Sequence, residues 1–253
     1  MIDFHAHLDD EKLISNLDEI IKRAIVSNVD YIIAPSINLA SAKRVIKISK
    51  KFEIVLPMIG IHPSEIQNFK EKNLDDIENL LKKEKVIGIG EIGLDYSYKT
   101  DKNKQKEIFE EQVRLAEKYN LPVVIHIRNT FDDVFNILKN YKIIPIWHSC
   151  TGNLKEIEKF LEIRGCLSFS GIITFKNAHK LREVVKVVPL ERIFLETDSP
   201  YLTPEPYRGK INEPSYIKFI YQKIAEIKNI EIDELERIIE NNFKKLFLYN
   251  KWR

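Results

Sequence analysis

The sequence predicts an α/β protein in which residues 1–253 form one domain, a closed (β/α)8 or TIM barrel. Three observations carry this expectation. Short Ile- and Val-rich runs, apolar on both faces, alternate with longer amphipathic stretches, which is the pattern of buried parallel strands joined by helices. Counting the opening "MIDFH", eight such runs occur, and 253 residues is the usual length of an eight-unit barrel. No linker, low-complexity segment or repeat interrupts the alternation. A doubly wound open sheet is the second candidate.

The strands read in order. "MIDFH" is the first. "YIIAP", "EIVLPMIG", "KVIGIGEIG", "LPVVIHI", "KIIPIWH", "GCLSFSG" and "RIFLETD" follow, each stopped by Gly, Pro or a polar residue. Two helices are clearest between and after them. In "IFEEQVRLAEKY", Ile108, Gln112, Leu115 and Tyr119 share a face with Phe109 and Val113; in "IDELERIIENNFKKLF", Ile232, Leu235, Ile239, Phe243 and Leu246 do the same.

Composition narrows the function classes. Apolar residues make up 44% and charged residues 31%, as in ordinary soluble proteins, and a net charge of +2 shows no general polyanion-binding block. Phosphate chemistry would therefore need a local site. Cys150 and Cys166 are too few for a disulfide framework or a thiolate metal site and are expected to be inert packing residues. The N-terminus lacks a signal-peptide pattern, and no apolar run approaches the ~20 residues that span a bilayer. The expectation is a cytoplasmic protein with no membrane and no obligatory protein partner.

The polar residues fall at strand ends: His5 and His7 at the first strand, His62 after the third, Glu91 at the fourth, His126 at the fifth, His148 at the sixth and Asp198 at the eighth. A barrel converges such residues at the C-terminal ends of its strands. His5 and His7 alone would be a weak signal, but positions i and i+2 of an extended chain share a face, so both imidazoles reach one ion. Glu91 lies among glycines and isoleucines, where an acid is costly unless paired or bound to a metal. Glu196 and Asp198 share a face, and Asp198, nearer the strand end, is the better ligand. Imidazoles with carboxylates suit zinc or manganese, and carboxylate-rich sites also take magnesium.

Three further residues are candidates for substrate binding. His62 either contacts substrate or shapes the turn before Pro63. Arg128 lies two beyond His126 on the same face and forks onto a phosphate or a helix carboxylate, with phosphate preferred. Arg208 sits in a loop that suits either substrate contact or a surface ion pair. His179 falls on a charged helix and is expected to be exposed, and the final "KWR" a solvated tail.

In order along the chain, "DFHAHLD", "GIHP", "GEIGLDY", "HIR", "WHSCTG", "LSFSGIITFKNA", "LETDSPYLTP" and "RGKINEPSYI" resemble the TatD family of metal-dependent deoxyribonucleases, from Asp3 to Phe247. The resemblance implies a barrel of the amidohydrolase-like superfamily with two divalent ions (Mg, Zn or Mn). It implies His5, His7, Glu91 and Asp198 on one ion and Glu91, His126 and His148 on the other, with Glu91 bridging. Asn129 stands where the family often has an acid, and Ser149 and Cys150 replace its more usual Cys-Phe, which bears on the pocket wall rather than on the ligands.

The expected reaction is hydrolysis of phosphodiester bonds in DNA, with RNA a second candidate substrate, by a metal-bound hydroxide. Asp198 would accept the proton, while Glu91 serves the catalytic pair of ions. A barrel mouth favours single-stranded ends, in line with the exonuclease action associated with the family. The alternatives are an amide or cyclic-amide hydrolase of the same superfamily and a non-catalytic nucleic-acid-binding module. The first often bridges its metals with a carboxylated lysine, and the fourth strand offers Glu91 instead.

Overall fold

The computed structural model describes residues 1–248; the C-terminal Lys-Trp-Arg lies outside them. The strands are β1 (Ile2–Asp3), β2 (Tyr31–Pro35), β3 (Val55–Ile59), β4 (Gly88–Asp95), β5 (Val123–Arg128), β6 (Pro145–Trp147), β7 (Cys166–Phe169) and β8 (Ile193–Leu195). The helices are α1 (Glu11–Ile14), α2 (Leu17–Val26), α3 (Leu39–Lys51), α4 (Lys72–Lys83), α5 (Lys102–Tyr119), α6 (Phe131–Leu138), α7 (Leu154–Glu162), α8 (His179–Val187), α9 (Ile217–Lys228) and α10 (Ile232–Phe243). The strands form one parallel eight-stranded sheet in the order β1 to β8. Its ends meet: the Phe4 amide donates to the Leu195 carbonyl, and Ala6 bridges Ser199. This is the (β/α)8 barrel, not the open sheet. No helix among the described residues is long and apolar enough to cross a membrane.

The chain divides into two compact units: Met1–Ala34, Ser149–Glu158 and Cys166 onward in one, Pro35–His148 and Lys159–Gly165 in the other. In the first, Phe4 packs on Phe194 with ring centroids 4.3 Å apart, and Tyr221 of α9 reaches β1. Its hydroxyl accepts from the Ile2 amide at 3.0 Å and donates to the Ile2 carbonyl at 3.2 Å. Asp3 is fully buried and accepts from the Thr197 amide and hydroxyl, tying the end of β1 to the segment after β8. Burial pushes the Asp3 carboxyl up to about 8 against the pull of those Thr197 bonds.

In the second unit, α5 turns two buried glutamines toward the barrel. Gln112 accepts from the Ile61 amide and donates to its carbonyl; seven residues earlier, two helical turns away, Gln105 does the same for Asp95. One helix face thus fixes the backbone beside His62 and at the end of β4. Inward-facing apolar residues of α5 are Ile108, Phe109, Val113 and Ala116; Leu115 and Tyr119 are only half-buried. On α10, Leu235, Ile239 and Phe243 are buried, as is Leu246 beyond it, but Ile232 is exposed: it occupies the first turn, before the helix reaches the core.

Several strand boundaries differ from those read in the sequence. β1 stops at Asp3 and β8 at Leu195, so His5, His7 and Asp198 follow strands rather than ending them. Glu91 lies inside β4, whose last residue is Asp95. The β4–β5 register shifts between Ile89 and Ile92. Just beyond, Gly93 has φ +149°, and a Cβ there would stand 2.0 Å from the His126 carbonyl oxygen. Only glycine permits this approach.

Candidate metal centre

Each unit carries one cluster of nitrogen and oxygen donors. In the first, the Nε2 atoms of His5 and His7 are 3.2 Å apart and lie 3.9 and 3.5 Å from Asp198 Oδ1. The backbone sets this up. The His7 amide donates to the Ser199 carbonyl and the Asp198 amide to the His5 carbonyl, so the two segments hold each other in register. Asp198 itself has φ 55°, a left-handed conformation that Asp tolerates better than most residues. Glu196 is fully buried, and its Oε1 accepts from the Ser149 amide, a supporting position beside the donor Asp198.

In the second unit, Glu91 Oε1 lies 3.0 Å from His126 Nδ1, 3.5 Å from His62 Nε2 and 3.5 Å from His148 Nε2. Glu91, His62 and His148 are buried. Three ring nitrogens converge on one carboxylate oxygen. His62 belongs to this cluster geometrically, where the sequence offered only substrate contact or a turn; it also caps the following turn through Ser64.

The residues fit divalent ions. Two imidazoles and a carboxylate in the first cluster, and a carboxylate ringed by imidazoles in the second, are donor sets for zinc or a similar ion; the ligand atoms of His5, His7 and Asp198, and likewise those of His62, Glu91 and His126, lie within 4.8 Å of one another.

The side chain of Arg128 is 63% exposed, leaving it available to an anion, and its Nη1 is 3.9 Å from Asp95 Oδ2. Its carboxylate neighbour is on β4, not on a helix. Arg208 is exposed, with its guanidinium 4.2 Å over the Phe175 ring. His179 is exposed at the start of α8. Cys150 and Cys166 are buried, and burial pushes the Cys166 thiol up to about 12, consistent with inert packing.

Sequence reading missed Asp95. It is fully buried; its Oδ1 accepts from the Ser97 amide and hydroxyl, and its Oδ2 lies 3.1 Å from His126 Nε2. Burial raises a carboxyl, but the bonds from His126 and Ser97 outweigh it and hold Asp95 at about 2. Burial disfavours the charged His126 ring, yet Asp95 and Glu91 together raise it to about 8. The even spacing from Glu91 to Asp95 along a strand was the available signal.

A (β/α)8 barrel with imidazole–carboxylate clusters at the C-terminal side of its strands defines a metal-dependent hydrolase. Residues 2–248 match the model of the TatD related DNase family, and the chain belongs to the TatD family. It is 39% identical over 254 residues to the uncharacterized metal-dependent hydrolase YabD of Bacillus subtilis, covering 99% of this chain and 100% of that one. It is 32% identical to YcfH of Escherichia coli K12, also an uncharacterized metal-dependent hydrolase, over 98% of this chain and 95% of that one. Among solved structures, the TatD homologue YJJV of E. coli K12 superimposes with a TM-score of 0.92 at 28% identity, covering 98% and 97% of the two chains.

Proposed function

We propose that this hydrolase is a nuclease that cleaves phosphodiester bonds of DNA, acting on single-stranded ends. The observation that carries the reading is the pair of donor clusters, His5, His7 and Asp198 in one and Glu91, His126 and His148 in the other. When bound, a pair of divalent ions supplies a water acidic enough to ionise near neutral pH and neutralises a phosphate oxygen. His5, His7 and Asp198 would hold one ion; Glu91, His126 and His148 the other. The bridging role of Glu91 belongs to this proposal.

The protein's own groups do the rest. The Asp198 carboxylate, displayed beside His7, takes the proton of the attacking water. Arg128, exposed and anchored loosely by Asp95, binds a non-bridging phosphate oxygen and offsets the charge that develops there. His62, pinned through Ser64 and the Gln112 clamp on Ile61, lies beside Glu91 and would contact the bound substrate. Arg208 on Phe175 offers a cationic, stacked surface to the nucleic-acid chain. The names of the family and the retained donor set support hydrolysis, and phosphodiester is the substrate class that a cation pair with an exposed arginine suits best.

The test is a metal-by-substrate matrix: labelled single-stranded DNA, duplex DNA, RNA, a chromogenic phosphodiester and a cyclic amide, each with Mg, Mn or Zn and with chelator. Chelator-sensitive loss of terminal nucleotides from single-stranded DNA is expected. Turnover of the amide with no cleavage of any phosphodiester would replace this reading with the amide-hydrolase one.

A further inference from the structure

Asp95 is the last residue of β4, and its surroundings assign it a task. Its backbone is locked at both amide and carbonyl by Gln105 of α5, so the carboxyl cannot drift along the strand. One oxygen, Oδ1, is taken up by the Ser97 amide at 2.8 Å and hydroxyl at 2.6 Å. That pair of bonds is an ordinary turn closure and would be satisfied whatever Oδ2 did. Oδ2 points the other way, to His126 Nε2 at 3.1 Å. The opposite side of the same ring, Nδ1, faces Glu91 Oε1 at 3.0 Å.

We propose that Asp95 is the positioning residue of His126: it accepts the Nε2 hydrogen and so presents Nδ1, beside Glu91, as the metal donor. The inference rests on the reading of Glu91 and His126 as ligands and is independent of the substrate. A ring nitrogen that binds a cation must be unprotonated, and a neutral imidazole keeps its one hydrogen on the other nitrogen. A buried carboxylate on Nε2 selects that tautomer and fixes the ring plane. Asp95 is not itself a ligand of the same ion, because the imidazole stands between Oδ2 and Glu91. The same oxygen lies 3.9 Å from Arg128 Nη1, so the group that orients a metal ligand also restrains the proposed phosphate-binding arginine.

D95N tests this because the amide preserves size. The Asn oxygen replaces Oδ1 toward Ser97, leaving an NH2 donor facing Nε2. The ring then accepts at Nε2 and carries its hydrogen on Nδ1, where it blocks the metal; an aspartate-to-asparagine change beside a histidine has this effect in serine proteases. Zinc is the probe, since it is diamagnetic. Two-bond proton–nitrogen NMR of the zinc-loaded wild-type protein should show His126 protonated at Nε2 and zinc-shifted at Nδ1. Calorimetric zinc titration of D95N should show a loss on the order of 10–100-fold in affinity at one site, with unchanged circular dichroism. Zinc-loaded wild type with His126 bound through Nε2 overturns the proposal, as does a folded D95N with wild-type zinc affinity. The wild-type spectrum decides the matter even if D95N does not fold. Failure of the wild type to bind zinc or any other divalent ion defeats the ligand reading beneath it. Lack of nuclease activity with the expected spectrum defeats only the substrate reading.

Discussion

His7 Nε2 and Asp198 Oδ1 lie 3.5 Å apart, brought together from distant parts of the chain by reciprocal backbone bonds between the segments that follow β1 and β8. Asn tolerates the left-handed backbone of Asp198 as well as Asp does, so D198N changes charge without backbone strain. His5 and His7 remain to hold an ion. D198N is expected to keep most of its metal, by elemental analysis, while the hydrolysis rate falls about 10²–10⁴-fold, the usual contribution of a proton acceptor. An equal loss of metal and rate would make Asp198 a ligand only.

Glu91 tests the electrostatics of the second cluster. E91Q preserves volume and removes the anion on which three imidazoles converge. Under the proposed bridging role Glu91 would offset the repulsion between two cations, and an amide could not. We expect loss of tight occupancy at one or both sites and severe loss of activity, with a barrel that still folds by circular dichroism. A folded E91Q with two ions bound and a near-normal rate would remove Glu91 from the bridging role.

Arg128 is the phosphate test. R128A should leave metal content intact and lower kcat/KM about 10–100-fold, the worth of a charge-assisted hydrogen bond, with a shallower salt dependence of DNA binding. The control H179A, at an exposed position on α8, should match wild type in both measurements.

An acid-sensitivity prediction concerns Glu78 on α4. Hydrogen bonds from Lys118 and Tyr119 of α5, joined by Lys82, hold its carboxyl at about 2, below the ordinary 4.5. A depressed carboxylate stabilises the fold above the unfolded value and loses that contribution as pH falls through the folded one. Urea midpoints should therefore show E78Q less stable than wild type at pH 7, with the gap closing between about 4.5 and 2. A gap that widens toward acid would contradict the sign.

Y221F tests how β1 is held. Loss of the hydroxyl leaves the buried Ile2 amide and carbonyl without their α9 partner. The expected cost is about 1–3 kcal/mol in chemical denaturation. A change within error would mean that pairing with β2 satisfies Ile2 by itself.

Much of this arrangement was legible because its periodicities survive folding. The i, i+2 rule put His5 and His7 on one face, and the two Nε2 atoms do meet at 3.2 Å, even though β1 has already ended. The alternation of strands and helices gave the barrel, and Gln112 was read on the inward face of α5. What escaped depends largely on contacts between segments distant in sequence. Asp95 shares the even spacing of Glu91, but its partner His126 is met only where β4 and β5 lie side by side. The approach of His62 to Glu91 is set by the Gln112 clamp on Ile61, a bond between positions far apart in sequence. Ile232 follows the helical period but sits where α10 has not yet reached the core.

Gly93 carries a consequence for anyone reading variants of this chain. With a Cβ it would collide with the His126 carbonyl oxygen at 2.0 Å, so β4 and β5 would have to separate where one displays Glu91 and the other His126. The residue with no side chain is therefore a spacer gauge for two side chains it never touches. In a saturation screen scored on metal retention, position 93 should be as intolerant as the histidines themselves, and a ranking of residues by chemical functionality would overlook it.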